Sequence, residues 1–218
     1  MSAENGSQEG GPRLAVLSDP RGRAAEAYRT LSVNIRFGRF EQPPRTILFT
    51  SATADDSAST TVANVAVAAA QANTNVVVVD ADLRRPTLHE IFGIANVTGL
   101  TTLSDGMTDI PAESTAIERL RVVTSGPATA SPAELLSSER LLHLLARLRA
   151  DADLVLVTAP PVTAGADASL LAVRVDGVVL VVDAHRTRRQ DARRARAQLE
   201  RVNARILGVV LNNASGID

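Results

Sequence analysis

The stretch "VVVVDAD", residues 76–82, places four β-branched residues in a row and then turns acidic. An apolar run without polar alternation is typical of a parallel strand buried on both faces of a sheet. Five other stretches have the length and composition of strands: "RTILFT" (45–50), "LRVVTSG" (120–126), "DLVLVTAPP" (153–161), "GVVLVVD" (177–183) and "ILGVVLNN" (206–213). The chain is therefore predicted to build a sheet of mostly parallel strands.

Helical patterns lie between these strands, at about residues 23–37, 59–71, 87–92, 132–149, 167–174 and 187–203. Ser131 is the predicted N-cap of the fourth of these helices, with Pro132 in its first turn. Strands that alternate with helices predict an α/β fold, a doubly wound, mostly parallel sheet with helices on both faces. Ligands of such sheets bind at the carboxyl ends of the strands. Residues 1–13 are polar and predicted to be a disordered tail, and residues 14–218 to be one domain.

Composition excludes several classes of function. The 218 residues include no cysteine, which rules out disulfides and thiolate metal sites and favours a cytoplasmic protein. A net charge of -1 and an aromatic content of 2% argue against a nucleic-acid partner. Apolar runs stay shorter than the roughly 20 residues of a membrane span, so none is predicted. The basic residues other than histidine are all arginine, and no lysine is available for catalysis.

The loop "SATADDSAST", residues 51–60, joins the first strand to the helix over 59–71. A phosphate-binding loop occupies this position in nucleotide-binding α/β proteins. Such a loop requires glycines and a lysine, and this stretch has neither. The sequence therefore raises the question of whether the site still holds a nucleotide.

Several ordered motifs resemble those of one family. They are "EAYRTLSVNIRF" (26–37), "TSATADDSASTTVANVAVAAA" (50–70), "VVVVDADLRRPTLHEIF" (76–92), "GLTTLSDG" (99–106), "VVTSGPATASPAELLSSERL" (122–141), "DLVLVTAPPV" (153–162) and "DGVVLVVDAHRTRR" (176–189). From about Arg13 onward, the chain resembles the bacterial tyrosine kinases, or BY-kinases. These are cytoplasmic ATPases of the ParA/MinD-like P-loop branch that regulate capsule and exopolysaccharide assembly. The resemblance implies a P-loop NTPase-like fold that uses ATP and Mg²⁺.

The family loop, P-G-E-G-K-S-T, aligns with residues 54–60. Ser59 and Thr60 match it, and the resemblance implies that the Ser59 hydroxyl would ligate Mg²⁺. The two glycine positions hold Asp55 and Ser57, and the lysine position holds Ala58. Side chains at the glycine positions disfavour backbone with positive φ, and a carboxylate repels a triphosphate. Loss of the lysine removes the main cation that stabilises transferring charge.

Of two further motifs of the family, the second is retained in this chain and the third is not. In the second, Asp80 would lie near Mg²⁺, Asp82 would accept a proton from the attacking hydroxyl, and Arg84 would contact the nucleotide. The alternative is that these acids only terminate a turn between strand and helix. In the third motif, Thr158 replaces the carboxylate that organises the metal.

Other positions have two interpretations each. Asn212 matches a residue that contacts adenine in this branch, or it belongs to a simple turn. Asp167 matches an acid of the family but is predicted to be a helix N-cap. Glu26 and Arg29 fit the family's self-association pattern E-x-x-R-x-x-R. In this chain Ser32 stands at the position of the second arginine. The segment 185–205 has eight arginines, which predicts a solvated helix face or a surface for anionic lipid or an acidic partner.

We therefore expect a catalytically impaired BY-kinase relative, a pseudokinase with a degenerate Walker A loop, that regulates or scaffolds capsule or exopolysaccharide biosynthesis. Its partner would be a membrane polysaccharide co-polymerase or an active BY-kinase paralogue, and self-association would be weak. It would lie in the cytoplasm, at the membrane only through that partner. The alternative is a residual ATP-binding kinase or ATPase, in which Arg84 or Arg85 replaces the lysine.

Overall fold

The computed structural model describes residues 14–54, 57–104 and 110–214, so the predicted disorder of residues 1–13 lies outside it. The helices are α1 (Ala15–Ser18), α2 (Arg23–Phe37), α3 (Ser57–Gln71), α4 (Leu88–Phe92), α5 (Pro132–Ser137), α6 (Glu139–Asp151), α7 (Asp167–Ala172) and α8 (Arg189–Arg201). The strands are β1 (Thr46–Ser51), β2 (Val76–Asp80), β3 (Glu113–Ser114), β4 (Leu120–Val123), β5 (Leu154–Thr158), β6 (Gly177–Asp183) and β7 (Ile206–Asn212).

The seven strands form one sheet in the order β3-β4-β2-β5-β1-β6-β7. Six strands run parallel, and β3 pairs with β4 in the antiparallel sense. This confirms the doubly wound, mostly parallel sheet. The apolar run that begins at Val76 forms β2, between β4 and β5, and every residue of β2 is buried.

Alternate residues of the strands enter two separate cores. Val77 and Val79 of β2 pack with leucines and alanines of α5, α6, α7 and α8. Val76 and Val78 pack on the opposite face with α1, α2 and the alanine-rich α3. Helices on both faces explain why the strand sequences carry no polar alternation.

One predicted helix is wrong. The pattern over residues 132–149 forms two helices, because Ser138 adopts an extended backbone between α5 and α6. The Ser138 side chain accepts a hydrogen bond from the Leu141 N–H at 3.3 Å and so caps α6. Ser131, the predicted cap, makes no side-chain capping bond, although Pro132 does occupy the first turn. Two short elements, α1 and β3, were not predicted.

Candidate functional site

Three parallel strands end beside the start of α3. β1 ends at Ser51, β2 at Asp80 and β5 at Thr158, so their carboxyl ends share one edge of the sheet. A cavity of about 260 Å³ opens there, slightly smaller than the roughly 300 Å³ lower bound of typical small-molecule sites. Its lining includes Ser59, Asp82, Arg84 and Arg85. Part of the predicted loop and one of the predicted acids, Asp82, therefore lie together at the carboxyl ends of the strands.

Asp80 is completely buried and is not among the residues that line the cavity. Its Oδ2 accepts hydrogen bonds from the backbone N–H groups of Thr87 at 3.0 Å and Leu88 at 2.9 Å, at the start of α4. Its Oδ1 accepts the Asp82 N–H at 3.3 Å. Burial raises the Asp80 pKa to about 6, and the hydrogen bonds from Leu88 and Thr87 oppose the rise. In this arrangement the carboxylate holds α4 in place, and its predicted role at Mg²⁺ and in catalysis stays a prediction.

Thr158 pairs with Asp80 across neighbouring strands and is also completely buried. Its Oγ1 donates a hydrogen bond to Asp80 Oδ1 at 3.1 Å, with the Val79 carbonyl at the longer distance of 3.4 Å. The hydroxyl therefore completes the hydrogen bonding of the acid. A carboxylate at position 158 would instead place two like charges side by side in the core.

Asp82 is the more exposed member of the predicted pair of acids. It is half-buried and lines the cavity, and its Oδ1 accepts the N–H groups of Arg84 at 3.1 Å and Arg85 at 2.9 Å. Burial raises its pKa, while these two hydrogen bonds lower it. Of the two acids, only Asp82 is positioned to face a ligand in the cavity.

The predicted N-cap role of Asp167 is wrong. Asp167 is the first residue of α7, where Ala166 occupies the cap position. Its buried carboxylate accepts a hydrogen bond from Arg84 Nε at 2.5 Å, because a buried charge requires a partner. The interaction with Asp167 also raises the Arg84 pKa. Arg85 has no side-chain partner within the described ranges, so it is the cavity-lining arginine that remains available.

The two neighbouring arginines allow a matched test of this pair. We expect Arg84→Ala to lower the free energy of unfolding by about 1–2 kcal/mol, because it leaves the buried Asp167 carboxylate without its cation. The half-exposed Arg84 side chain keeps this cost below that of a fully buried pair. Urea denaturation measures the change, with Arg85→Ala as the control that stays within about 0.5 kcal/mol. Equal losses for both variants would contradict the assigned role of Arg84.

Sequence comparisons identify relatives along nearly the whole chain. Tyrosine-protein kinase YwqD of Bacillus subtilis is 36% identical over 201 residues, which are 91% of this chain and 85% of that protein. The putative tyrosine-protein kinase CapB of Staphylococcus aureus is 32% identical over 206 residues, which are 91% of this chain and 88% of that protein. The chain belongs to the bacterial tyrosine kinases. The family ParA, described as NUBPL iron-transfer P-loop NTPase, also matches residues 46–217.

Solved structures agree with this membership in the BY-kinases. The chimerical protein CapA2B2 superposes with a TM-score of 0.87 at 34% identity, covering 93% of this chain and 90% of that one. The kinase domain of Escherichia coli ETK gives a TM-score of 0.86 at 25% identity, with 100% and 88% covered. MinD from Pyrococcus horikoshii, solved with Mg-ADP, has a TM-score of 0.65 at 21% identity and shares the fold. The predicted P-loop NTPase fold is therefore confirmed.

The loop that distinguishes this chain from the BY-kinase pattern is described only in part. Asp55 and the side chain of Ser57 lie outside the described residues. Ala58, aligned with the family's lysine, lines the cavity and is 5% exposed, and its place at a phosphate site stays a prediction. Ser59 lines the cavity as well, whereas Thr60 does not, and the Thr60 carbonyl accepts a hydrogen bond from Asn64 at 2.9 Å.

Asn212 lies away from this BY-kinase cavity and does not line it. It is the last residue of β7, and its Nδ2 donates to Thr61 Oγ1 at 2.7 Å. The contact ties the edge strand to α3, so the simple-turn interpretation does not describe it, and the contact with adenine stays a prediction.

The predicted association residues of the BY-kinase pattern lie in α2. Arg29 contacts Glu26 one turn earlier at 3.3 Å and also donates to the Pro20 carbonyl at 2.7 Å. Ser32, at the position of the second arginine, is buried. Tyr28 is half-buried and packs against the core. The Glu26 and Arg29 side chains thus satisfy each other within one helix, and their role in self-association stays a prediction.

Two contacts in the site were missed from the sequence. One is the capping of α4 by Asp80, seven residues before the first amide that it accepts, a separation that matches no local capping motif. The other is the Arg84–Asp167 pair, which joins residues 83 positions apart. Neither contact leaves a signal in a single sequence.

Within the described ranges, no cluster of three or more histidine or acidic residues could hold a metal ion, and no helix is long and apolar enough to cross a membrane.

Proposed function

We propose that this BY-kinase relative is catalytically impaired and regulates or scaffolds capsule or exopolysaccharide assembly. The observation that carries the proposal is the state of Asp80. Its two oxygens accept four hydrogen bonds, one of them from Thr158. A carboxylate in this state has little capacity left to organise a hydrated metal. Thr158 itself contributes no negative charge for that purpose.

The phosphate loop supports the same proposal. Ala58 presents a methyl group where an ATP-binding relative needs an ammonium group, and the chain has no lysine elsewhere to replace it. Charge that develops during phosphoryl transfer would lack its main stabiliser. Transfer would therefore be slow even if a nucleotide entered the cavity.

One observation favours the alternative of residual ATP binding. Arg85 lines the cavity and has no side-chain partner in the described part of the chain, so it could approach a phosphate. Ser59, also in the lining, would supply the hydroxyl for Mg²⁺. ATP and Mg²⁺ would then bind without the lysine, and Arg84 could contribute through the half of its side chain that is exposed.

The proposed partners follow from the relatives. YwqD and CapB are similar to this chain over most of their own length. In Wzc of Salmonella typhi and EpsB of Ralstonia solanacearum, by contrast, the part that matches this chain is only 28% of the relative's length. We infer that the chain works at the cytoplasmic face of the membrane through a polysaccharide co-polymerase or an active BY-kinase paralogue. A weak homo-oligomer through Glu26 and Arg29 is part of the same proposal.

Purified protein tests the loss of catalysis. We expect it to hydrolyse ATP no faster than a buffer blank and to leave no phosphate on Tyr28, the only tyrosine of the chain. Steady-state phosphate release and mass spectrometry after incubation with Mg-ATP measure the two quantities. A control with Asp82→Asn, which removes the acid that lines the cavity, should give the same blank rate. Turnover that disappears in Asp82→Asn would establish the residual enzyme instead.

A further inference from the structure

Arginines are concentrated on the outer side of α8. The helix Arg189–Arg201 packs its buried residues Ala195 and Leu199 on the sheet and contains five arginines against two acids. With about 100° between successive residues, Arg193 and Arg201 project from the side opposite Ala195 and Leu199, and Arg189 lies beside Arg193 on the flank of the helix. All three are exposed. We call these three residues the arginine face.

The positive charge of the arginine face is not neutralised by ion pairs, because the two acids of α8 pair with other arginines. Glu200 binds Arg196 at 2.7 Å, and Asp191 lies 3.9 Å from Arg194. No carboxylate in the described ranges pairs with a member of the arginine face. The whole chain has a formal charge of only -1, so the positive charge is a local property of this surface.

Apolar side chains flank this helix on the neighbouring edge strand. Val209 and Leu211 of β7 pair in register with Leu180 and Val182, which belong to the core beneath α8. They therefore lie on the same side of the sheet as α8. Val209 is 61% exposed and Leu211 is 47% exposed, so neither α8 nor another described element covers them.

We propose that the arginine face, together with Val209 and Leu211, binds the surface of an anionic phospholipid membrane. Guanidinium groups bind phosphate oxygens in bidentate geometry, and exposed aliphatic side chains gain from partial burial among lipids. The outside of a helix is convex, and a fluid lipid surface adapts to it without a complementary pocket. An acidic protein would need such complementarity, with buried anchor residues at its centre.

The expected strength follows from the number of free charges. Each arginine close to an anionic surface strengthens binding by about fivefold, and salt screens the attraction within a Debye length of about 8 Å. Three arginines then give about a hundredfold, which is weak and reversible attachment. This contact is direct and does not depend on the proposed loss of catalysis or on a membrane partner.

Vesicle flotation tests the proposal with the full chain. Vesicles of phosphatidylcholine with one-third phosphatidylglycerol are compared with pure phosphatidylcholine at low and at high salt. We expect binding only to the anionic vesicles, with loss at high salt. The variant Arg189→Gln/Arg193→Gln/Arg201→Gln should bind at least twentyfold more weakly. Val209→Gln/Leu211→Gln should weaken binding by a few fold through lost apolar contact.

The matched control removes the same charge from other surfaces, with Arg21→Gln/Arg39→Gln/Arg119→Gln, three exposed positions outside α8. It should bind as the unmodified chain does. Circular dichroism checks that each variant is folded. The proposal is overturned if the unmodified chain does not float with anionic vesicles, if the control loses as much binding as the α8 variant, or if poly-glutamate binds the arginine face while the vesicles do not.

Discussion

Restoring the phosphate loop with Asp55→Gly, Ser57→Gly and Ala58→Lys is expected to raise the affinity for Mg-ATP by at least tenfold. Two glycines return the backbone freedom that the loop needs, and the exchange at position 55 removes a repulsive charge. The lysine would extend from a position that already lines the cavity. A tenfold gain requires only about 1.4 kcal/mol, a fraction of the electrostatic energy at stake. Isothermal titration calorimetry measures the dissociation constants.

The control must separate local chemistry from net charge. Glu118→Lys changes the charge by the same two units at a carboxylate whose side chain is 91% exposed, just before β4 and hence at the opposite edge of the sheet. It should leave the affinity for Mg-ATP unchanged. Micromolar affinity in the unmodified protein, without gain from the restored loop, would show that this loop holds nucleotide by another geometry.

The rate of ATP hydrolysis distinguishes nucleotide binding by the loop from catalysis that depends on the metal. The restored loop alone should bind ATP without rapid turnover, because the metal still lacks its organising carboxylate. Adding Thr158→Asp to the restored loop should then increase the rate of phosphate release. A high rate before that addition would show that Thr158 is not what limits catalysis.

The fold was predictable because its evidence is local and repeated. Runs such as Val76–Val79 show no alternation since both of their faces are buried, and the turn residues between runs mark the boundaries. The error at residues 132–149 has a physical cause. The apolar period continues across Ser137 and Ser138, while the backbone breaks at Ser138 because that side chain caps the following helix.

The site was predictable only in its location. Parallel strands carry Asp80 and Thr158 to one edge, and a single sequence indicates that convergence. The sequence does not indicate that the Asp80 carboxylate oxygens already accept hydrogen bonds from the protein. The burial of Asp80 and the bond from Thr158 depend on strand pairing over 78 positions, and the role of Arg84 depends on a pair separated by 83.

Thr158→Asp in the otherwise unmodified chain is expected to lower the free energy of unfolding by about 3 kcal/mol at pH 8 without Mg²⁺. The change replaces a hydrogen-bond donor 3.1 Å from the buried Asp80 carboxylate with a second acid. Two carboxylates this close cannot both ionise without a large cost, since none of the described residues buried in the core is a cation. Urea denaturation at several pH values measures the effect.

The pH dependence follows from the sign of the Asp80 shift. Its folded pKa of about 6 exceeds the ordinary value of 3.8, so the folded state holds its proton more tightly than the unfolded state. The contribution of Asp80 to stability is therefore fully present below about pH 4 and is lost as the pH rises through about 6. In Thr158→Asp the pair shares a proton more tightly still, and the fall should continue above pH 6.

Uncharged substitutions of Thr158 test whether charge repulsion causes the loss of stability in Thr158→Asp. Thr158→Asn adds no charge and should show no extension of the pH window, while Thr158→Val should lose only about 1 kcal/mol for the missing hydrogen bond. Mg²⁺ at millimolar concentration should restore part of the stability of Thr158→Asp if the two acids can share a metal, and should not affect Thr158→Asn. If Thr158→Asp proves as stable as Thr158→Asn at pH 8 without Mg²⁺, then water or a rearranged Asp80 relieves the repulsion. The hydroxyl of Thr158 would then not be what allows this chain to bury Asp80 without a metal.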